Sequence, residues 1–110
     1  MQSTHYHAHI YFTLEMREAA KVLRQAIVDL NLHDVKVYEL IDRPIGPHPV
    51  AMFEVDFSNV RFDFLKNWFE KNRAGLSILI HENTGDDLRD HTQGATWLGK
   101  KQDLNFSIFK

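Results

Sequence analysis

The chain has 110 residues, enough for one domain with a single modest hydrophobic core. Its formal net charge of −2 indicates no basic surface for nucleic acid, and the lack of cysteine excludes disulfides, thiolate metal sites and thiol nucleophiles. No apolar run approaches the roughly 20 residues that span a bilayer, and residues 1–5 lack the charged and apolar regions of a secretory signal. We therefore expect one cytoplasmic domain over residues 1–110, binding neither nucleic acid nor membrane.

The first half of the chain predicts two strands, one helix and a loop. Residues 6–13 alternate between apolar and polar side chains, the pattern of a half-buried strand. Thr13 can cap a helix, and apolar residues then recur every three or four positions to about Leu30, as in an amphipathic helix. Residues 35–41, rich in β-branched side chains, predict a second strand. Residues 42–49 contain three prolines and must form a loop.

The second half repeats the alternation of strand and helix. Strands are predicted at 50–57 and 76–82, separated by an amphipathic helix that starts near Ser58 or Asn59 and is ended by Gly75. A polar stretch follows, and residues 104–109 predict a short C-terminal strand. The order β-α-β-β-α-β indicates an α+β, ferredoxin-like sandwich. We expect an antiparallel sheet in the spatial order 4-1-3-2 with both helices on one face, and the first and third strands as parallel neighbours.

Five of the seven histidines fall in polar-aromatic or turn motifs instead of on helix surfaces. Imidazole is the commonest metal ligand and changes charge near neutral pH. The five are His7 and His9 in His-Ala-His-Ile-Tyr, His48 in Gly-Pro-His-Pro, His81 in Leu-Ile-His-Glu and His91 in Arg-Asp-His-Thr. In a chain without cysteine, they indicate a metal or acid-base site built from nitrogen ligands.

The predicted topology places these motifs close together. The start of strand one, the start of strand three and the end of strand four are expected at one edge of the sheet. Because side chains alternate along a strand, four polar residues should share the face away from the helices. They are His7, His9, Glu54 and His81.

The same face should also carry apolar side chains, at Tyr11, Met52 and Leu79. Left open, this face would expose apolar surface to water, so we expect the chain to form a homodimer.

Each motif also has an ordinary structural interpretation. His48 also suits a turn between prolines, and His81 a buried position hydrogen-bonded to the backbone. His91 lies among residues typical of a solvated turn. Tyr11 and Trp97 are more typical of a core than of a ligand-stacking surface. The predicted convergence of the motifs is the stronger signal.

With these motifs assembled, the chain resembles the DOPA 4,5-dioxygenase family of fungi and bacteria. The matching segments follow the family's order and cover residues 7–12, 46–49, 52–53, 76–81, and 84–92 leading into 97–99. One position departs from the family pattern. The residue after the strand-four histidine is commonly proline in the family, whereas this chain has Glu82. The departure bears on the substrate more than on membership.

The resemblance implies extradiol cleavage of a catechol, DOPA or a related small molecule, with non-haem Fe(II) and O2. Under this hypothesis the expected metal ligands are His9, His48 and His81, with Glu54 as a third ligand or a residue supporting one. His7 is an alternative ligand or a proton-transfer group, and His91 is expected to act as the acid-base residue or to orient the substrate carboxylate. The candidates for substrate binding are Arg89, through a substrate carboxylate, and the aromatic residues Tyr11 and Trp97.

A second hypothesis is a non-catalytic, dimeric ferredoxin-like module. Its histidines would bind a regulatory metal or a small aromatic ligand. Such a module would bind its ligand without consuming oxygen, whereas a dioxygenase consumes oxygen when given iron and a catechol.

Overall fold

The computed structural model describes residues 5–109, so residues 1–4, on which the expectation of no secretory signal partly rests, lie outside it. One antiparallel sheet has the order β2-β3-β1-β4-β5. Its strands are β1 (His5–Phe12), β2 (Lys36–Val37), β3 (Ala51–Ser58), β4 (Ser77–Glu82) and β5 (Ala95–Leu98). The helices are α1 (Arg17–Asp29), α2 (Phe62–Asn72) and the short α3 (Asp87–Asp90). The predicted α+β class and the central order 4-1-3-2 are confirmed. Within residues 5–109, no helix has both the length and the apolar character needed to cross a membrane.

The helix-facing side of the sheet forms the main core. Alternate residues of β1, β3 and β4 point into it, and α1 and α2 cover it with their apolar sides. The largest fully buried side chains there include Ile10, Phe53, Leu65, Phe69 and Ile78. The predicted alternation is therefore confirmed, and the histidines of β1 lie on the other side of the sheet.

Both long helices begin later than predicted. Thr13 and Ser58 each precede a 3-10 turn, Leu14–Met16 and Asn59–Arg61, and neither hydroxyl accepts a capping hydrogen bond. α1 then begins at Arg17 and α2 at Phe62. Gly75 follows α2 with a positive φ of 84°, a backbone conformation that glycine adopts without steric cost.

The expectation that strands one and three run parallel is wrong. A strand–helix–strand crossover makes β1 and β2 parallel, and β3 returns between them, so β3 is antiparallel to both. The register places His9 opposite Glu54 on β3, and His7 opposite His81 on β4. The polar residues identified by alternation therefore form adjacent rows across the sheet.

Two of the predicted strands also differ from the structure. β2 has only two residues, and the backbone beyond it contacts β3 only intermittently, for example where Tyr38 N–H donates to the Glu54 carbonyl at 2.9 Å. The additional strand is β5, which pairs with β4, and not residues 104–109. That segment contains a 3-10 turn, Phe106–Ile108, in which the Asn105 side chain accepts the Ser107 N–H. This local bond competes with strand pairing.

The face away from the helices is not open. Tyr11, Met52 and Leu79 are buried there in a second apolar cluster with Leu104. Ile41 and Ile45, from the loop before β3, pack against that cluster. The apolar surface on which we based a homodimer is thus covered within the chain, so that argument is wrong. The oligomeric state stays a prediction.

Candidate metal centre

Four imidazoles meet on the sheet face away from the helices, and all are buried. His9, His48, His81 and His91 are 4%, 6%, 3% and 8% exposed. Ring centroids are 4.1 Å apart for His9 and His48, 4.0 Å for His81 and His91, and 5.0 Å for His9 and His81. His7 lies beside them, 5.3 Å from the His81 ring, and its side chain is 26% exposed. The structure therefore brings together the five histidines that the sequence singles out.

The strands position three of these imidazoles directly. His7 and His9 are two residues apart on β1 and so share a face. β4 runs antiparallel beside β1 with His81 opposite His7. This geometry follows from sheet register alone.

His48 reaches the cluster by a route that differs from our expectation. The start of β3 pairs with Phe12 at the end of β1, so the starts of these two strands do not share an edge. Instead the preceding loop folds across the sheet through a turn in which His48 N–H donates to the Ile45 carbonyl at 3.0 Å. Gly46 has a φ of 57° in this turn.

His91 is positioned by the short α3 segment. The Asp86 side chain caps α3 by accepting the Arg89 N–H. Asp90 is buried, and its carboxylate accepts hydrogen bonds from the backbone and the hydroxyl of Thr84, both at 2.7 Å. Asp90 thus anchors the segment that ends in His91. Asp90 was not among the predicted site residues, because nothing in this polar stretch of sequence marks one aspartate as buried.

Backbone carbonyls set the tautomers of two imidazoles. His81 Nδ1 lies 2.7 Å from the Glu82 carbonyl, and His91 Nδ1 lies 2.7 Å from the Asp87 carbonyl. A carbonyl only accepts, so both Nδ1 atoms carry the proton and both Nε2 atoms keep a free lone pair. Hydrogen bonds of this kind orient the histidine ligands of metals.

His9 completes this arrangement. Its Nε2 lies 3.0 Å from Nε2 of His81, which has only a lone pair to offer, so without metal His9 Nε2–H is the donor. His9 Nδ1 is then left buried with no hydrogen-bond partner. On the far side of the cluster, His48 Nδ1 is 2.7 Å from the Tyr11 hydroxyl.

Three of the buried imidazoles, those of His9, His48 and His81, are neutral at pH 7. Burial lowers the pKa of His48 to about 4 and that of His81 to about 3, and His91 nearby contributes further to both shifts. Burial and the surrounding imidazoles also hold the pKa of His9 well below its ordinary value. Metal ions bind neutral imidazole, so His9, His48 and His81 are in the ligating form at physiological pH.

Two carboxylates lie at the more exposed side of the cluster. Glu54 Oε2 is 3.5 Å from His7 Nδ1, Asp56 Oδ1 is 3.7 Å from His7 Nε2, and Glu54 Oε1 is 4.0 Å from the unpartnered His9 Nδ1. Burial, together with the neighbouring Asp56 carboxylate, raises the pKa of Glu54 to about 8. Asp56 was not among the predicted site residues, although it lies two positions after Glu54 on β3 and so on the same face of the sheet.

Three groups of side chains among the described residues have ligand atoms within 4.8 Å of one another. They are His7–His9–His81, His9–His48–His91 and His7–Glu54–Asp56. Two nitrogen ligands at about 2.1 Å from a metal and at a right angle lie about 3.0 Å apart. The His9–His81 separation of 3.0 Å matches that geometry. The expected ligands His9, His48, His81 and Glu54 are divided among these groups, with His9 common to the first two.

The expected substrate-binding residues have partners within the chain. Arg89 Nη1 is 2.6 Å from Glu82 Oε1 and 3.4 Å from Asp90 Oδ1. The Tyr11 and Trp97 rings stack with centroids 5.9 Å apart in the second apolar cluster. Burial raises the pKa of Tyr11 far above its ordinary value, so its hydroxyl stays protonated.

A surface cavity of about 600 Å³ adjoins the cluster next to His91. It is lined by Gly85, Asp86, Asp87, Leu88, Ile108 and Phe109. The Phe109 ring is 4.9 Å from the His91 ring. His91 itself does not line this cavity and is 8% exposed, so the solvent-accessible side of the cluster is the one at His7.

Comparison with known proteins gives consistent matches. The model of the Dopa 4,5-dioxygenase family matches residues 6–108. A DOPA 4,5-dioxygenase of Amanita muscaria is 34% identical over 112 aligned positions, which cover 93% of this chain and 48% of the fungal protein. An uncharacterized 21.2 kDa protein of Botryotinia fuckeliana is 38% identical, over 93% of this chain and 61% of that protein. The chain therefore spans about half to three fifths of the length of these curated relatives.

A solved structure has the same fold. The crystal structure of a proposed dioxygenase from Nostoc punctiforme superposes with a TM-score of 0.83 at 38% sequence identity. The match covers 96% of this chain and 90% of the cyanobacterial one.

Proposed function

Because this chain belongs to the Dopa 4,5-dioxygenase family, we propose that it is a non-haem Fe(II) enzyme that opens the ring of a small catechol, such as DOPA, by extradiol cleavage with O2. The observation that carries the proposal is the pair of facing imidazole nitrogens, His9 Nε2 and His81 Nε2, 3.0 Å apart in a buried setting. Two neutral imidazoles gain one hydrogen bond from this arrangement, whereas a metal ion would engage both lone pairs.

His7, His9 and His81 are the proposed ligands. The alternative group, His9–His48–His91, is buried throughout, whereas His7 is partly exposed and gives a substrate access to the centre. Imidazole nitrogens with a nearby carboxylate suit non-haem iron, although the same donors also suit zinc, copper and manganese. Glu54 is the proposed partner of His9 Nδ1, which otherwise lacks one.

When bound, ferrous iron supplies open coordination positions at which a catechol and dioxygen come together. The protein supplies proton transfer. His91 donates its Nδ1–H to the Asp87 carbonyl, so its Nε2 is free to accept a proton from a substrate hydroxyl. His48 is neutral at pH 7, and when its Nδ1–H donates to the Tyr11 oxygen, 2.7 Å away, its Nε2 provides a second acceptor on the other side of His9.

The test is oxygen consumption by defined metal forms of the protein. Protein purified without oxygen and stripped of metal is reloaded with Fe(II) or with Zn(II), and oxygen uptake is recorded with DOPA and 4-methylcatechol. We expect uptake only with Fe(II), and a product of 4-methylcatechol that is heavier than the substrate by two oxygen atoms; the DOPA product can also lose water when its new aldehyde condenses with its amine. Metal binding without oxygen uptake for any catechol would favour the binding-module hypothesis instead.

Variants test the position of the site. His81→Ala removes one of the two facing nitrogens, so bound iron and oxygen uptake should be lost together. His33→Ala is the matched control, because His33 is exposed on the turn after α1. If the His81→Ala protein kept its iron and its turnover, the metal centre would lie elsewhere.

A further inference from the structure

We infer that Arg89 is a positioning residue of the candidate metal centre. Its guanidinium joins the short helix α3, at whose end His91 lies, to the end of β4, which carries His81. Arg89 thereby fixes the separation between a proposed metal ligand and the group that accepts a proton from the substrate. This inference rests on the proposed function, and it gives Arg89 a role other than the binding of a substrate carboxylate.

The guanidinium contacts the residues next to both histidines. Arg89 Nη1 donates to Glu82 Oε1 at 2.6 Å and lies 3.4 Å from Asp90 Oδ1. Glu82 follows His81 in the chain, and its carbonyl oxygen accepts the His81 Nδ1–H at 2.7 Å. Asp90 directly precedes His91. One nitrogen atom of Arg89 therefore connects the two backbone segments that hold these imidazoles, whose ring centroids are 4.0 Å apart.

The short helix α3 depends on side-chain contacts for its position. It has four residues, too few to form a stable helix by themselves. Asp90 anchors this segment at Thr84, just after β4. The contact between Arg89 and Glu82 adds an anchor two residues earlier in the chain. Anchors at two residues restrict the rotation of α3 more than an anchor at one, so Arg89 helps to set the direction of the His91 ring.

The backbone at Gly94 leaves room for this contact. A Cβ atom at Gly94 would lie 2.9 Å from Arg89 Nη1, too close for an unbonded pair. The Gly94 N–H donates to the Arg89 carbonyl at 2.9 Å, and the Gly94 carbonyl accepts the Glu82 N–H at 3.0 Å. Arg89 and Glu82 are therefore joined twice, through their side chains and through the backbone of Gly94.

The same contacts oppose the binding of a substrate carboxylate by Arg89. In the part of the chain that the structure describes, Arg89 is the one lysine or arginine with a nitrogen within 4.0 Å of the Glu82 or Asp90 carboxylate. A substrate that drew the guanidinium away would break the 2.6 Å hydrogen bond to Glu82 and release α3. The loss of Arg89 should therefore affect every catechol, whether or not it carries a carboxylate.

The experiment removes the guanidinium and compares neutral 4-methylcatechol with anionic 3-(3,4-dihydroxyphenyl)propionate on the Fe(II)-loaded protein. Arg89→Met keeps the aliphatic stem but has no donor. We expect it to lower kcat/KM for both catechols by the same factor, about 10- to 100-fold. Arg89→Lys, which keeps one donor group, should recover part of the loss. The matched control is Arg61→Met, since Arg61 pairs with Asp34 at 2.9 Å in an ion pair that involves none of the five clustered histidines. It should leave both values unchanged.

A second measurement does not depend on turnover. In proton NMR spectra of the metal-free protein, the His81 and His91 rings should show nuclear Overhauser effects, because their centroids are 4.0 Å apart. These effects should weaken in Arg89→Met and persist in Arg61→Met. A loss of turnover with unchanged ring contacts would mean that Arg89 acts through its charge, and it would overturn the assignment of a positioning role.

Other outcomes separate this inference from the proposed function. Unchanged turnover in Arg89→Met, or a fall confined to the anionic catechol, would overturn the inference and leave the dioxygenase intact. If the unaltered protein turns over no catechol, the proposed function fails, and the ring contacts alone decide the role of Arg89. If Arg89→Met does not fold, Gly94→Ala makes the same test, because its Cβ displaces the guanidinium from Glu82.

Discussion

Acidification of the metal-free protein should destabilise it because the centre buries neutral imidazoles. The pKa of His81 is lowered to about 3 and that of His48 to about 4, and His9 is shifted in the same direction. In the unfolded chain these histidines take up protons near pH 6.5. The stability that they contribute is therefore complete above pH 6.5 and is lost as the pH falls towards their folded pKa values.

Glu54 has the opposite dependence. Its pKa is raised to about 8, so the folded protein holds a proton that the unfolded chain releases above its ordinary pKa. That contribution is complete below pH 4.5, the ordinary value, and is lost as the pH rises through 8. The free energy of unfolding should therefore rise from pH 8 to a maximum near pH 6.5 and then fall.

The size of the fall follows from the proton balance. Between pH 6.5 and 5 the unfolded chain binds protons at three imidazoles that stay neutral in the folded protein, while the folded protein binds one at Glu54. The unfolded state therefore holds about two more protons, and the free energy of unfolding changes by at most about 2.7 kcal/mol per pH unit. From pH 6.5 to 5 this limit is about 4 kcal/mol, and partial entry of water reduces it to about 2 kcal/mol. Total stabilities of small domains are about 5–15 kcal/mol, so the loss is readily measured.

Urea unfolding in a metal chelator, followed by tryptophan fluorescence at pH 8, 6.5 and 5, provides the measurement. His48→Gln should reduce the number of protons taken up on unfolding below pH 6.5 by about one, so the free energy of unfolding should fall less steeply with pH. His33→Gln, at an exposed position, should not change this slope. An unfolding free energy that is constant or increases from pH 6.5 to 5 would refute the assignment of neutral, buried imidazoles.

Three further predictions concern single contacts. Tyr11→Phe leaves the buried His48 Nδ1 without its partner at 2.7 Å and should lower the free energy of unfolding by about 1–3 kcal/mol. Tyr38→Phe, at an exposed tyrosine, is the control, and an equal loss of stability there would contradict this explanation. Leu79→Ala creates a cavity in the second apolar cluster and should lower the unfolding free energy by about 2–5 kcal/mol in chemical denaturation; a loss under 1 kcal/mol would show that the cluster is loosely packed. His91→Ala should retain iron in metal analysis but slow oxygen uptake by about 100- to 10,000-fold, and full activity would remove His91 from the chemistry.

The strand-borne part of the centre could be predicted from the sequence. Alternation along β1 separates Ile10 from His7 and His9, and the same rule places Glu54 on their side of the sheet. The error in the direction of β3 did not affect these assignments, because the face on which a side chain lies does not depend on strand direction. The order of elements was likewise sufficient for the central strand order.

The loop-borne part could not be predicted in the same way. His48 reaches the cluster because the loop folds across the sheet, which depends on the packing of Ile41 and Ile45 against Met52 and Leu79. The burial of Leu104, in a polar stretch of sequence, has no periodic signal at all. Side chains that cover a sheet face from irregular segments are placed by tertiary contacts, which leave no periodic pattern in the sequence. The covering of the apolar face, from which we expected a homodimer, could therefore not be predicted.

The second apolar cluster and the histidine centre adjoin on one sheet face, since Leu79 stands directly opposite His9 on the neighbouring strand. Binding of a metal at His9 would therefore be coupled to the folding of the whole domain. A ligand that binds only the folded state raises the free energy of unfolding, and the increase grows with the ratio of the ligand concentration to its Kd. A cell short of this metal would hold a less stable form, which proteases remove sooner. The amount of the protein would thus follow the metal supply, without any separate regulator.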